Sequence, residues 1–188
     1  MIPIYAGMYV RELSVSASGA QARDGARELY RHAYTQGRLK KIWTALRGAS
    51  RDLRSLPEDA IQVSPYCSSG QKLQAVLLDQ IQGTGRPSRR REFDIDFWPL
   101  QARPKPDWLK LATAWLRGAS LQAVSLVQIG DIYFVQDGHS RISVARALGH
   151  KWIEAEVSIW QVKVVSNGPE VVWGRPPAQP QAQACPGG

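Results

Sequence analysis

The stretch Asp131-Ile-Tyr-Phe-Val-Gln-Asp-Gly-His-Ser-Arg-Ile-Ser-Val-Ala-Arg-Ala-Leu-Gly149 decides how this chain is read. Ile132 to Gln136 is an apolar run of strand character that stops at Asp137-Gly138, after which Ile142, Ala145 and Leu148 recur at helical spacing up to Gly149. A strand that ends in Asp-Gly and passes at once into a helix aims the unpaired N–H groups of the first helical turn at one spot. An anion fits there. His139 and Ser140 add donors to those backbone groups, and Arg141 adds a planar cation able to grip a phosphate through two parallel hydrogen bonds. Asp137 is the odd charge: it can position a metal carried by a polyphosphate, accept a proton from a hydroxyl nucleophile, or hold Arg141 in place. A reading without a ligand competes, in which Asp137 caps the helix and pairs with Arg141 one turn on.

Upstream, Val124 to Gln128 is a second apolar run, and Gly130-Asp131 supplies the tight turn of a hairpin between the two. Before it, Trp108, Leu111, Ala112, Trp115 and Leu116 follow the template of an amphipathic helix that Asp107 caps and Gly118 ends. Pro99, Pro104 and Pro106 predict an extended connection into it. Ala75 to Ile81 reads as one strand, leading through Gly83-Thr-Gly85 to a basic knot of Arg86, Arg89, Arg90 and Arg91. That knot can close over a triphosphate or track a nucleic-acid backbone, or it is a solvated loop. In Phe93 to Trp98, Asp94 and Asp96 share one side if the segment is extended and could then join Asp137 on Mg²⁺, while Trp98 is the tryptophan placed to stack on a nucleobase.

Further out, Ser55-Leu-Pro-Glu58 has the form of a capping box opening a short helix, and residues 63–71 read as a loop. Between Asp24 and Leu46 two apolar sets at helical spacing slip phase near Gly37, which predicts one bent helix or two, with Arg23, Arg27 and Arg31 on the polar side. Toward the C-terminus Ile153, Ala155, Val157 and Ile159 alternate as a strand. Trp160, Val162 and Val164 continue on the opposite phase, which predicts a bulge or a break. Asn167-Gly168 turns into one more short strand through Trp173, and the Pro-, Gln- and Ala-rich end reads as a flexible tail.

Composition narrows the function classes. The 188 residues suffice for one domain with extensions. Twenty-four Lys and Arg against 16 Asp and Glu give +8, which favours phosphate-bearing partners, and the first fifty residues hold +5 of it from eight basic and three acidic side chains. Cys67 and Cys185 lie too far apart for a disulfide framework or a Cys-type zinc site. With no basic leader before a long apolar run and no eighteen apolar residues in succession, a cytoplasmic protein without a membrane span is expected.

The 131–149 stretch, followed by Ile153-Glu-Ala-Glu-Val157, resembles the phosphate-binding core of the ParB/sulfiredoxin fold. It is similar in particular to bacterial ParB-like proteins in which a Gly-Arg stretch and a Phe-Asp-x-x-Phe-x-Pro segment precede an Asp-Gly-[His/Asn]-His-Arg turn; Gly85-Arg86 and Phe93 to Pro99 stand in those places. The resemblance covers roughly residues 73–160. It implies an α/β (α+β) fold with a small mixed sheet and flanking helices. Around it the chain divides into a helical basic N-terminal extension over 1–65, a domain over 66–173 and a tail over 174–188. Members of this superfamily include partition proteins that bind CTP and DNA, sulfiredoxins that use ATP and free-serine kinases that use ADP.

The resemblance therefore implies a nucleotide (CTP, ATP or ADP) with Mg²⁺, contacted by Gly138, His139, Ser140, Arg141 and Arg86, with Arg89, Arg90 and Arg91 on phosphate or nucleic acid. Asp137 and His139 are the candidates for catalysis and Asp137 for the metal; turnover would be nucleotide hydrolysis or phosphoryl transfer. Departures from the family matter too. His139 stands where sulfiredoxins place their reactive Cys, so sulfinic acid reduction is disfavoured. The residues after Val157 are expected to leave no room for the helix-turn-helix domain of a partition clamp. The kinases' catalytic Glu has no clear counterpart among Gln82, Gly83 and Thr84. Two rival readings stay open: a DNA-binding or nuclease-like module using the basic helix and Arg-rich loop, and a non-catalytic regulatory interaction protein. A homodimer is compatible with any of them.

Overall fold

Small residues at helical spacing build the first element. In a computed structural model, which describes residues 19–58, 60–62 and 72–162, Gly19–Leu46 forms α1, a single helix that continues through Gly37. Ala22, Ala26, Tyr30, Ala33 and Gly37 make its buried stripe. A Cβ at Gly37 would lie 2.9 Å from Trp98 Cβ and 3.0 Å from the Pro99 carbonyl, so this glycine marks a close approach between helix and loop. It does not mark a break. The second apolar set, Leu39, Ile42, Trp43 and Leu46, is out of phase because it faces solvent.

The strands are β1 (Arg54–Ser55), β2 (Ala60–Gln62), β3 (Lys72–Leu77), β4 (Ile81–Thr84), β5 (Val124–Ile129), β6 (Ile132–Asp137) and β7 (Trp152–Val162), with helices α2 (Pro106–Leu116) and α3 (His139–Ala147). They form one mixed sheet in the order β1-β4-β6-β5-β7-β2, with β3 also on β7. β4 runs parallel to β6, and β5 parallel to β7; β5 and β6 are the antiparallel hairpin, turned at Gly130 with φ +59°. The mixed α/β architecture expected from the sequence is thus present. Helices α1, α2 and α3 bury their apolar stripes with Val76, Ile81, Val124, Leu126, Val135, Ile153, Ala155 and Val157 in one core. Because α1 and Leu53 belong to that core, and β1 and β2 pair with β4 and β7, residues 19–58 and 60–62 are built into the domain beside them. Among the described residues no helix is long and apolar enough to cross a membrane.

Several local expectations change. No helix opens at Ser55: the backbone there pairs with β4, and Ala60 N–H closes a turn onto the Pro57 carbonyl at 3.2 Å. The expected single strand over 75–81 is two, separated by a 3₁₀ turn, Leu78–Gln80, which Arg146 holds through Asp79 at 2.5 Å and the Leu78 carbonyl at 2.8 Å. Lys105, not Asp107, occupies the cap position of α2, since Pro106 takes the first helical position, where its missing N–H costs nothing. β7 neither bulges nor breaks at Trp160; its partner changes from β3 over 152–157 to β2 over 160–162. The expected loop over 63–71, the strand after Asn167-Gly168, the tail and both cysteines lie outside the described residues.

Candidate functional site

The turn between β6 and α3 has the conformation its sequence demands. Gly138 occupies the left-handed region at φ +104°, and a Cβ there would stand 2.5 Å from Val124 Cγ1, so both backbone and packing require glycine. Gly138 carries no side chain to cap α3, and among the described residues no other side chain does so; its carbonyl accepts from Ile142 N–H at 2.9 Å. The first-turn amides of α3 are therefore without a side-chain partner, with the positive end of the helix dipole behind them.

A second glycine turn lies alongside. β4 ends in Gly83-Thr84-Gly85, paired in parallel register Gly83↔Phe134 and Thr84↔Val135 with β6. Gly85 N–H donates to the Val135 carbonyl at 2.8 Å, and a Cβ on Gly85 would meet the Gln136 side-chain amide at 2.8 Å. Gly83 lies under the Phe134 ring, 2.3 Å from where its Cβ would be. Two neighbouring parallel strands thus release their glycine turns at one edge, the carboxyl end, where ligands of open α/β sheets bind.

Thr84 locks the two turns together. Its buried hydroxyl oxygen lies 2.7 Å from His139 Nε2, accepts from Arg86 N–H at 2.9 Å and stands 3.2 Å from the Arg86 carbonyl. All three contacts are satisfied when the hydroxyl donates to the Arg86 carbonyl and His139 donates from Nε2. His139 itself is 4% exposed, packed beside Phe93 and Phe97 at ring separations of 6.4 Å and 6.2 Å. Burial, then the positive charges of Arg89 and Arg86, push its pKa down to about 4, so it is neutral near pH 7. This corrects the expectation for its side chain: His139 does not reach out to a phosphate or a substrate proton, because its imidazole is a buried strut between α3 and the Arg86 turn. Only its backbone amide belongs to the exposed edge.

The other residues divide as follows. Arg141 pairs through Nη2 with the Asp137 carboxylate and through Nη1 with the Ala123 carbonyl, and approaches the Gln122 carbonyl at 3.4 Å. The i, i+4 pair allowed by the sequence does form, and it leaves Asp137 well exposed. Ser140 makes no side-chain hydrogen bond among the described residues and lines a cavity of about 10 Å³ beside Glu92, Lys105 and Trp108, room for about one water. The Arg cluster occupies a 3₁₀ turn, Pro87–Arg91. Arg89 pairs with Glu92 at 2.8 Å and Arg90 donates to the Leu53 carbonyl at 2.9 Å. Arg86 and Arg91 are exposed and hold no partner among the described residues. Glu92 lies below the usual carboxylate range: burial raises it, but hydrogen bonds from Lys105 and Arg89 outweigh that.

Asp94 and Asp96 do not form a metal face. Residues 93–98 are a tight turn with Phe97 at φ +62°, in which Asp94 accepts from the Asp96 and Trp98 amides at 3.0 Å and 2.9 Å and from Arg51 Nε at 3.2 Å. Arg51 also bonds Asp96, which Lys40 reaches at 3.3 Å. Burial raises the Asp94 pKa, whereas for Asp96 the neighbouring Arg51 and Lys40 outweigh burial and lower it. Among the described residues no group of three or more His, Cys, Asp or Glu is placed to hold a metal, so Asp137 belongs to no such cluster. Trp98 is taken up by α1, with Lys40 Nζ 5.2 Å from its ring, which corrects its reading as a base-stacking platform.

Compared with protein-family models, with curated proteins and with solved structures, the chain matches none. Thr84 is the residue that sequence reasoning missed. Its one signal was a hydroxyl between two glycines at a strand end, and the His139 partner lies 55 positions away.

Proposed function

We propose that the chain is a nucleotide-binding protein of the ParB-like kind that holds phosphates at the edge formed by Gly85-Arg86 and Asp137 to Arg141. The observation that carries this reading is the juxtaposition of an uncapped helix N-terminus with a second glycine turn bearing the unpartnered Arg86. Backbone amides, the helix dipole and a free guanidinium then converge on one anion. Glycines at 85 and 138 let the two turns pack directly against Gln136 and Val124, which sets the turns side by side. Arg141, fixed by Asp137 and the carbonyls before β5, is pre-organised and keeps N–H groups beyond those it uses. Mg²⁺ would arrive with the phosphates, with Asp137 as the carboxylate nearest to them in sequence; turnover would be hydrolysis or phosphoryl transfer.

Thermal shift of the full chain against CTP, ATP, ADP and GTP with Mg²⁺ tests this. A ligand at 100 times its Kd stabilises by ~2.7 kcal/mol, a Tm rise of roughly 5–10 °C for a chain of this size. Arg141→Ala should abolish the rise. Absence of a shift with every nucleotide, or an unchanged shift in Arg141→Ala, overturns the proposal. The DNA-binding alternative has less support, since Arg89 and Arg90 of the Arg-rich turn are engaged with Glu92 and the Leu53 carbonyl. Its signature would be duplex binding that weakens steeply with salt. A non-catalytic regulatory interaction protein would show no thermal shift with any of the nucleotides.

A further inference from the structure

Beside the phosphate edge lies a groove of about 360 Å³, lined by Leu111, Ala114 and Trp115 of α2, by Leu121 and Gln122 of the chain entering β5, and by Arg141. We propose that this groove receives the base and ribose of the nucleotide whose phosphates lie at the start of α3, an inference that rests on the nucleotide reading above. Strand order sets the arrangement. β4, β6 and β5 are successive neighbours, and Asp137 at the end of β6 is in register with Ser125 at the start of β5. The Arg86 turn, the α3 N-terminus and residues 120–123 therefore stand in a row along one sheet edge. The row spans two strand spacings, roughly 10 Å, the scale of a mononucleotide.

The two ends of that row differ in chemistry. On the β4 side Arg86 and Arg91 are exposed cations whose guanidinium groups have no partner among the described residues, suited to phosphates. On the β5 side the walls are Leu111, Ala114, Trp115 and Leu121, suited to the faces of a flat ring, and the exposed Gln122 amide offers a donor and an acceptor for its edge. The volume falls within the range of small-molecule sites. Arg141 joins the two ends. Its backbone belongs to the first turn of α3, while its guanidinium is tied to the carbonyls of Gln122 and Ala123 and forms one wall of the groove. Trp115 is held edge-on to His150 at 5.5 Å, which fixes the plane of that wall.

The test compares nucleotides with inorganic tripolyphosphate, each with Mg²⁺, by titration calorimetry on the full chain. Wild type should bind its preferred nucleotide at least tenfold more tightly than tripolyphosphate. Ala114→Trp and Leu121→Trp block the groove from two different elements without adding charge beside Arg141, and Ala114 is exposed, so that substitution leaves the core untouched. Both should lower nucleotide affinity at least tenfold and leave tripolyphosphate affinity within twofold. Nucleotide binding at wild-type strength in both variants overturns the groove while sparing the phosphate site. Equal wild-type affinity for tripolyphosphate and every nucleotide also overturns the groove. Failure of wild type to bind either ligand overturns the nucleotide reading and this inference with it.

Discussion

His139 gives the sharpest stability test of the site. It is 4% exposed, and burial followed by Arg89 and Arg86 lowers its pKa from 6.5 to about 4. The folded state therefore prefers the neutral ring more strongly than the unfolded chain does. Above pH 6.5 the ring is neutral in both states and stability is complete. As pH falls below 6.5 the unfolded chain takes up the proton first, and stability drains away until the folded state protonates near pH 4. At 1.36 kcal/mol per pH unit the loss comes to ~3 kcal/mol, about 1 kcal/mol of it by pH 5.5. That is a large part of a typical domain's 5–15 kcal/mol, by order of magnitude. Replacing His139 by Gln retains a donor toward Thr84 and removes the titration. Urea unfolding of both proteins between pH 7.5 and pH 4 should show the wild-type advantage over His139→Gln shrinking by ~3 kcal/mol toward acid. Parallel stability profiles would refute the argument. A bound polyphosphate offsets Arg86 and Arg89, so saturating ligand should move the His139 midpoint, read by NMR, upward from about 4.

Three further outcomes are expected. Gly138→Ala should cost ~2–5 kcal/mol in urea unfolding, from the positive φ and the 2.5 Å approach to Val124. Gly149→Ala, with positive φ but nothing within 4 Å, should cost ~1–2 kcal/mol, and a larger loss there than at 138 contradicts the packing argument. Thr84→Val leaves the Arg86 amide and His139 Nε2 without their partner, so a loss of ~2–4 kcal/mol and faster amide exchange at Arg86 are expected; an unchanged exchange rate would show that the hydroxyl does not hold the turn. Arg51→Ala strands the buried Asp94 carboxylate and should cost ~3–5 kcal/mol at pH 7, with Asp94→Asn in the same background recovering part of it; no recovery would place the loss in packing instead of charge.

The strand-turn-helix of 132–149, the hairpin at Gly130 and the α2 stripe were all legible in the chain. Each rests on residues a few positions apart, whose spacing alone sets the backbone period or forces a positive φ. The Asp137–Arg141 pair was legible for the same reason. Tertiary structure decided the rest. Gly37 looked like a helix break because spacing cannot reveal that Trp98 and Pro99 press against that face. Asp94 and Asp96 looked like a metal face until Phe97 turned the chain and Arg51 filled the space. His139 looked like a ligand to phosphate, yet its orientation depends on Thr84, Phe93 and Phe97, brought in from the parallel neighbour strand and the loop beyond it. Sequence period settles which face of an element is apolar. Which distant hydroxyl, carbonyl or guanidinium meets that face depends on strand order and register, and here those set both the burial of the imidazole and the exposure of the amides beside it.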